Sequence, residues 1–215
     1  MKHNTPFIAV EGPIGVGKTS LSRAISEEFS IPHLKEIVDE NPFLGKFYDN
    51  IDEWSFQTEM FFLCNRYKQL EDINNQHLSI QTPVVSDYHI LKNIVFAERT
   101  LKPQQFQKYI QIYDILTKDM IAPNVVIYLH ASLETLLNRI KIRGREIERN
   151  IDPHYLEQLI EDYDNTMKKF EEENPSIPLI RINGDDFDFV QNPDHLQIIM
   201  EKVKETLKNK ELTLG

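Results

Sequence analysis

Residues 12–19 read Gly-Pro-Ile-Gly-Val-Gly-Lys-Thr and match the pattern G-x-x-x-x-G-K-[ST] at every fixed position. Such a loop works in one setting only. It must turn from a buried strand into a helix, so that successive backbone N–H groups and the helix N-terminus face one anion. The apolar run Phe7-Ile8-Ala9-Val10 precedes the loop, and a helical pattern follows it. The glycines let the backbone wrap a phosphate without a Cβ in the way. Gly12, Pro13, Ile14, Gly15, Val16, Gly17, Lys18 and Thr19 are therefore read as a nucleotide phosphate site. In it Lys18 reaches the β- and γ-phosphates of ATP and the Thr19 hydroxyl sits on Mg²⁺. The competing reading is a glycine-rich turn that binds nothing; the strand before it and the helix after it argue against that.

Short apolar runs alternate with helical stretches along the rest of the chain. Strands are expected at 7–10, 33–37, 84–86, 125–130 and 179–182. Helices are expected at 18–29, 53–74, 89–100, 103–120, 133–142, 153–172 and 193–208. Strands separated by helices imply an α/β fold, a parallel five-stranded sheet flanked by helices. The 215 residues suit a single domain spanning 1–215, with a small lid at about 143–152. Ligands of such sheets lie past the carboxyl ends of the strands. Three polar features fall there: the loop after strand one, Glu36 near the end of strand two and Asp87 after strand three.

The net charge of −10 disfavours a nucleic-acid polymer as partner. No apolar run approaches the length of a membrane span, and the first six residues do not resemble a secretion signal. A lone cysteine, Cys64, cannot form an internal disulfide, so a reducing cytoplasm is the expected setting. Cys64 closes the apolar run Met60-Phe61-Phe62-Leu63-Cys64 and is expected to be packed in the core. The histidines show no metal-ligand spacing, so no zinc site is expected.

Asp87 follows Pro83-Val84-Val85-Ser86. A carboxylate there either holds Mg²⁺ together with Thr19 or caps the next helix. Glu36 in Leu34-Lys35-Glu36-Ile37-Val38 is either a solvated turn acid or the base that takes a proton from an acceptor hydroxyl. The segment Arg139-Ile140-Lys141-Ile142-Arg143-Gly144-Arg145 carries four cations in seven residues. It is either a basic helix end, favourable with the helix dipole, or a lid whose arginines neutralise a transferring phosphoryl group and exclude water.

Taken together, Gly12–Thr19, Glu36, the run Trp54-Ser55-Phe56, the triplet Asp87-Tyr88-His89 and Arg139/Arg143/Arg145 resemble the deoxyribonucleoside kinase family along nearly the whole chain. The resemblance is closest to the bacterial deoxyguanosine kinases. It implies a P-loop kinase fold and phosphoryl transfer from ATP, with Mg²⁺, to the 5′-hydroxyl of a deoxynucleoside. It implies that Glu36 is the general base. Tyr48 and Glu148 would hold the sugar 3′-hydroxyl, and Arg66 would contact the base. The Asn183-Gly184-Asp185-Asp186-Phe187 loop, through Asp185, Asp186 and Phe187, would pack on the base of the phosphate donor. A homodimer through the apolar faces of the helices at 53–74 and 103–120 is also implied.

The chain departs from the family pattern at two positions. The triplet has Tyr88 where many members place an arginine that helps hold the catalytic carboxylate, so that role falls to His89 or a lid arginine. Glu59 stands where many members have glutamine. A carboxylate only accepts hydrogen bonds, whereas an amide both donates and accepts. Guanine presents two adjacent donors, N1–H and the 2-amine, that Glu59 can accept. Arg66 can donate to O6 or N7. Adenine would set a lone pair against the carboxylate, a buried mismatch of about 1–3 kcal/mol. Deoxyguanosine is therefore the expected acceptor, with Glu59 ionised at neutral pH. Deoxyadenosine or deoxycytidine kinases of the same family are the nearest alternatives. A nucleoside monophosphate kinase would need cations near the acceptor phosphate, and only Lys46 is basic between Glu36 and Asn65. A regulatory GTPase should carry N-K-x-D, and the only Asn-Lys pair, Asn209-Lys210, continues Glu211-Leu212. A nucleotide sensor without turnover would share the phosphate loop alone.

Overall fold

The computed structural model describes residues 5–38, 40–149 and 151–214. Five strands form one all-parallel sheet in the order β2-β3-β1-β4-β5. They are β1 (Phe7–Glu11), β2 (His33–Leu34), β3 (Val84–Ser86), β4 (Val125–His130) and β5 (Leu179–Asn183). The central strands β1 and β4 are apolar and buried almost throughout, as strands covered on both faces must be. The helices are α1 (Lys18–Phe29), α2 (Leu44–Asp49), α3 (Ile51–Gln76), α4 (Lys92–Thr100), α5 (Pro103–Thr117), α6 (Leu133–Arg143), α7 (Pro153–Glu173) and α8 (Pro193–Asn209). The main core joins Val10, Leu21, Ile127, Leu136, Leu156 and Val203 across both faces of the sheet. A second cluster around Leu63, Ala97 and Tyr109 binds α3, α4 and α5 together.

The strand order explains where a ligand can lie. The connection from β1 runs outward to β2, while the connection from β3 crosses to β4 on the other side of β1. The crevice therefore opens at the carboxyl ends of β1 and β3, the switch point of the sheet.

Two expected boundaries moved for physical reasons. β2 stops at Leu34 rather than residue 37, because the Glu36 N–H donates to Asp87 Oδ1 at 2.6 Å instead of to the ladder. α4 starts at Lys92 rather than residue 89: the His89 N–H is taken by Glu11 Oε2 at 2.7 Å, and His89 Nδ1 accepts the N–H of Leu91. The six-residue α2 was not expected at all. Cys64 is exposed on α3, contrary to the expectation of a packed thiol. An unbroken apolar run on a helix covers every face, and here Phe62 and Leu63 turn inward while Cys64 faces out.

The phosphate loop begins packed against β4. Gly12 lies at φ 150°, and a Cβ there would meet the carbonyl oxygen of Leu129 at 2.1 Å. Gly17, at φ 107°, is the N-cap of α1. Gly12→Ala should cost about 2–3 kcal/mol of stability, lowering Tm by about 5–10 °C for a domain of this size. It should also abolish nucleotide binding. A calorimetric Tm and an ATP affinity equal to those of the parent would contradict this packing.

Candidate active site

A cavity of about 580 Å³ opens at the strand ends. That volume suits a small-molecule site. Its floor is the phosphate loop from Ile14 to Thr19, and its walls include Glu36, Tyr48, Glu59, Phe62, Arg66, Asp87, Lys92 and Phe96. Arg139, Arg143, Arg145 and Glu148 close one side. Most of the residues singled out from sequence thus share one space.

The donor end is built on α1. Lys18 Nζ folds back onto the carbonyls of Gly12 (2.7 Å) and Pro13 (2.9 Å). Burial, reinforced by the neighbouring Lys92, pushes its pKa down to about 7. An incoming phosphate would supply the counter-charge that the loop carbonyls lack. Thr19 Oγ1 donates to Asp87 Oδ2 at 2.7 Å. Asp87 thus joins the phosphate loop to the Glu36 backbone, and it does not cap α4, whose N-cap is Leu91. Thr19 and Asp87 form a pair of hard oxygen ligands, which fits a Mg²⁺ that takes one or two protein oxygens and completes its shell with phosphates and water.

Glu36 is buried and held at both oxygens. Arg66 Nε (3.0 Å) and NH2 (2.5 Å) donate to Oε1, and Lys92 Nζ donates to Oε2 at 2.8 Å. Burial alone would raise the Glu36 pKa; Lys92 and Arg66 outweigh it and bring the value down to about 2. Glu36 is therefore ionised at physiological pH, and it is not the solvated turn acid that its sequence context also allowed. Arg66, expected to contact the base, gives its first donors to Glu36, and its NH1 donates to Asn93 Oδ1 at 2.9 Å. Its guanidinium lies 4.6 Å from the Phe62 ring.

Glu59 stands apart from these pairs. It is 2% exposed and its Oε2 has no partner. Its Oε1 has only Thr100 Oγ1 at 3.5 Å, and that hydroxyl's one proton also faces the Phe96 carbonyl at 2.8 Å. Burial pushes its pKa up to about 7. This corrects the expectation that Glu59 is simply ionised at neutral pH. Tyr48 and Glu148 line the same end, and burial together with the Glu148 charge raises the Tyr48 hydroxyl pKa.

The arginine cluster divides. Arg143 and Arg145 both pair with Glu148. Arg139 is instead a brace, donating to the carbonyls of Val16 (3.0 Å) and Gly184 (2.8 Å). In the expected lid at 143–152, Arg143 ends α6, Gly144 caps it, and residues Glu146–Glu148 form one 3₁₀ turn. Asn150 lies outside the described residues. Asp185, Asp186 and Phe187, expected against the donor's base, make contacts within the fold next to the cavity wall. Asp185 accepts from the backbone and hydroxyl of Ser132, Asp186 from Asn183, and Phe187 packs on His195. The cavity wall begins one residue later, at Asp188–Gln191. His89, proposed to replace the family arginine, is buried outside the cavity, and Tyr88 packs into a core with Phe7, Leu70 and Val84. Phe47, Phe62 and Phe96 line the cavity, whereas Trp54 stacks on Phe43.

Sequence reasoning missed Lys92, Asn93 and Glu11. Glu11 is fully buried beneath the loop and accepts from Gly12 N–H, His89 N–H and the Tyr163 hydroxyl. Burial raises its pKa. An acidic residue closing an otherwise apolar strand next to a phosphate loop was the available signal. Lys92 and Asn93 belong to no local pattern.

The deoxynucleoside kinase family model matches residues 8–208. The chain belongs to the deoxynucleoside kinase family. Deoxyguanosine kinase of Bacillus subtilis (strain 168) is 53% identical over 205 residues, covering 95% of this chain and 99% of the relative. The deoxyadenosine/deoxycytidine kinase of the same organism is 27% identical, covering 94% of each. The solved structure of deoxyadenosine kinase from M. mycoides with bound dATP superposes with a TM-score of 0.79 at 25% identity, covering 93% of this chain and 99% of that one. The P-loop kinase fold expected from sequence is thus the fold observed. No helix among the described residues is long and apolar enough to cross a membrane.

The ion pairs around Glu36 predict a stability effect that needs no substrate. Arg66 supplies two of the three side-chain hydrogen bonds to Glu36, which keeps only Lys92 without it, and hydrogen bonds to a charged group contribute about 1.5–3 kcal/mol. Arg66→Met should lower the free energy of unfolding in urea by that amount. A midpoint unchanged from the parent would refute the buried pair.

Proposed function

We propose that this family member is a deoxyguanosine kinase, transferring the γ-phosphoryl of ATP to the 5′-hydroxyl of deoxyguanosine to give dGMP in purine deoxynucleoside salvage. The observation that carries the base assignment is Glu59, a buried carboxylate facing the cavity with an oxygen that nothing satisfies. Guanine's N1–H and 2-amine supply the two donors such a group lacks. The 53% identity to a deoxyguanosine kinase supports the same reading. Arg66, which carries five N–H and spends three on Glu36 and Asn93, retains donors for O6 or N7.

Each remaining residue has a role in this reaction. Backbone N–H groups of Gly12–Thr19 and Lys18 bind the donor phosphates. Thr19 and Asp87 hold Mg²⁺, which supplies charge neutralisation on the phosphates when bound. Glu36 accepts the hydrogen bond of the 5′-hydroxyl and takes its proton late, as suits a loose transition state in which the nucleophile stays neutral until bonding is advanced. Arg143 and Arg145 exchange part of their pairing with Glu148 for the transferring group, while Arg139 keeps the loop in shape. Tyr48 and Glu148 hold the 3′-hydroxyl. The half-buried Phe56, Met60, Phe106, Ile112 and Leu116, with exposed Ile115 and Cys64 beside them, favour a homodimer through α3 and α5. The cytoplasm is the proposed location.

Glu59 also sets the pH dependence. Its pKa is raised, so the acid form dominates below about pH 7 and the carboxylate above it. Guanine needs the carboxylate, whereas a protonated carboxyl can donate to adenine N1 or cytosine N3. The kcat/KM ratio of deoxyguanosine to deoxyadenosine should therefore rise about 100-fold from about pH 6 to about pH 8, as the ratio of carboxylate to acid does. Glu59→Gln should flatten that ratio and move selectivity toward deoxyadenosine and deoxycytidine. An unchanged base ranking in Glu59→Gln would refute the assignment.

A further inference from the structure

We propose that Lys92 is a positioning residue for phosphoryl transfer: it fixes Glu36 Oε2 at the boundary between the donor loop and the acceptor hydroxyl, the task the missing arginine at Tyr88 leaves unfilled. The proposal rests on the reading that Glu36 takes the 5′-hydroxyl proton.

Asp87 holds the end of β3 against Thr19 and Glu36. The next turn is pinned by Glu11 through His89 N–H, and Lys92 N–H closes onto the His89 carbonyl at 3.0 Å. Lys92 is therefore the first residue of α4. Side chains on a helix lean toward its N-terminus, so that of Lys92 returns to the strand ends. Tyr88 cannot do this. Its ring is buried among Phe7, Leu70 and Val84, with its hydroxyl 3.3 Å from Gln69 Oε1.

The two cations on Glu36 are not equivalent. Arg66 uses two N–H groups on the single oxygen Oε1 and ties a third to Asn93. Its place on α3 is thereby fixed. Lys92 alone holds Oε2, at 2.8 Å, and its side chain is 9% exposed. Its charge is felt by Glu36, by Lys18 and by Glu11. It thus lies among the donor loop's lysine, the buried acid beneath that loop and the acceptor's base. An ammonium carries three N–H groups, so the one spent on Glu36 leaves others for the cavity that Lys92 lines.

In the step itself, the 5′-oxygen forms a bond to Pγ as the bond from Pγ to the bridging oxygen breaks. That bonding pair leaves with the nucleoside diphosphate, and the hydroxyl proton goes to Glu36. A carboxylate fixed at both oxygens is in place before the substrate arrives, and the resulting orientation is worth rate rather than affinity.

The experiment compares Lys92→Met, Lys92→Gln and Lys92→Arg by steady-state kinetics, with binding of a fluorescent ATP analogue measured in parallel. Lys92→Met and Lys92→Gln should each lower kcat about 100-fold while leaving deoxynucleoside KM and nucleotide affinity within about threefold of the parent. The loss should fall on kcat and not on KM, because the contact orients Glu36 and does not bind the substrate. Lys92→Arg should recover kcat to within about tenfold. A kcat near the parent value in the neutral variants, a loss carried by KM, or no recovery in Lys92→Arg would overturn the proposal. Lys92→Gln keeps a donor to Glu36 and most of the length, so it decides the question if Lys92→Met fails to fold. Near-parent kcat in Glu36→Gln would instead overturn the base reading itself, while an inactive Glu36→Gln beside an active Lys92→Met would defeat only the role of Lys92.

Discussion

An ionised carboxylate removed from water is costly unless opposite charges and hydrogen bonds replace its hydration. Glu36 meets that condition with two cations from two different helices, Arg66 on α3 and Lys92 on α4. The requirement fixes more than one side chain. It sets the position of α3 against β2, brings the first turn of α4 to the strand ends, and ties both to Asp87 through the Glu36 backbone. Asp87 in turn reaches Thr19. One continuous set of polar contacts thus runs from the phosphate loop to the acceptor side of the cavity.

Glu59 shows the contrary case in the same cavity. It has no full partner, and burial brings its pKa to about 7. The difference between the two carboxylates is one of surroundings alone. A satisfied, ionised acid suits a fixed proton acceptor, whereas an unsatisfied one near its titration point suits a group that waits for a ligand's donors. In a family whose relatives are described as deoxyguanosine, deoxyadenosine and deoxyadenosine/deoxycytidine kinases, such a position is a place where base preference can change without disturbing the phosphate site.

What the sequence made legible follows the range of the interactions. The phosphate loop, the five strands and seven of the helices depend on local pattern, and they lie close to their expected places. The short α2 has six residues and no periodicity to announce it. Glu36 and Asp87 were found because strand ends in an α/β sheet are special positions. Lys92 was not, because a single lysine opening a helix carries no pattern; only the folded chain shows that it faces an acid 56 residues earlier. The contacts of the loop at Asp185–Phe187 were hidden for a similar reason. Its carboxylates are used by Ser132 and Asn183 within the fold, and local composition does not distinguish an acid that binds the protein from one that binds a ligand.

The account turns on a cavity built to present a deoxynucleoside hydroxyl to a donor phosphate while reading guanine. The most direct measurement is phosphorylation by Mg²⁺–ATP of deoxyguanosine, deoxyadenosine, deoxycytidine, thymidine and dGMP side by side, above neutral pH. The account predicts turnover dominated by deoxyguanosine, with dGMP a poor acceptor because Arg66 and Lys92 already spend their charge on Glu36. Turnover dominated by dGMP would contradict the hydroxyl acceptor, and turnover dominated by deoxyadenosine or deoxycytidine would contradict the role given to Glu59.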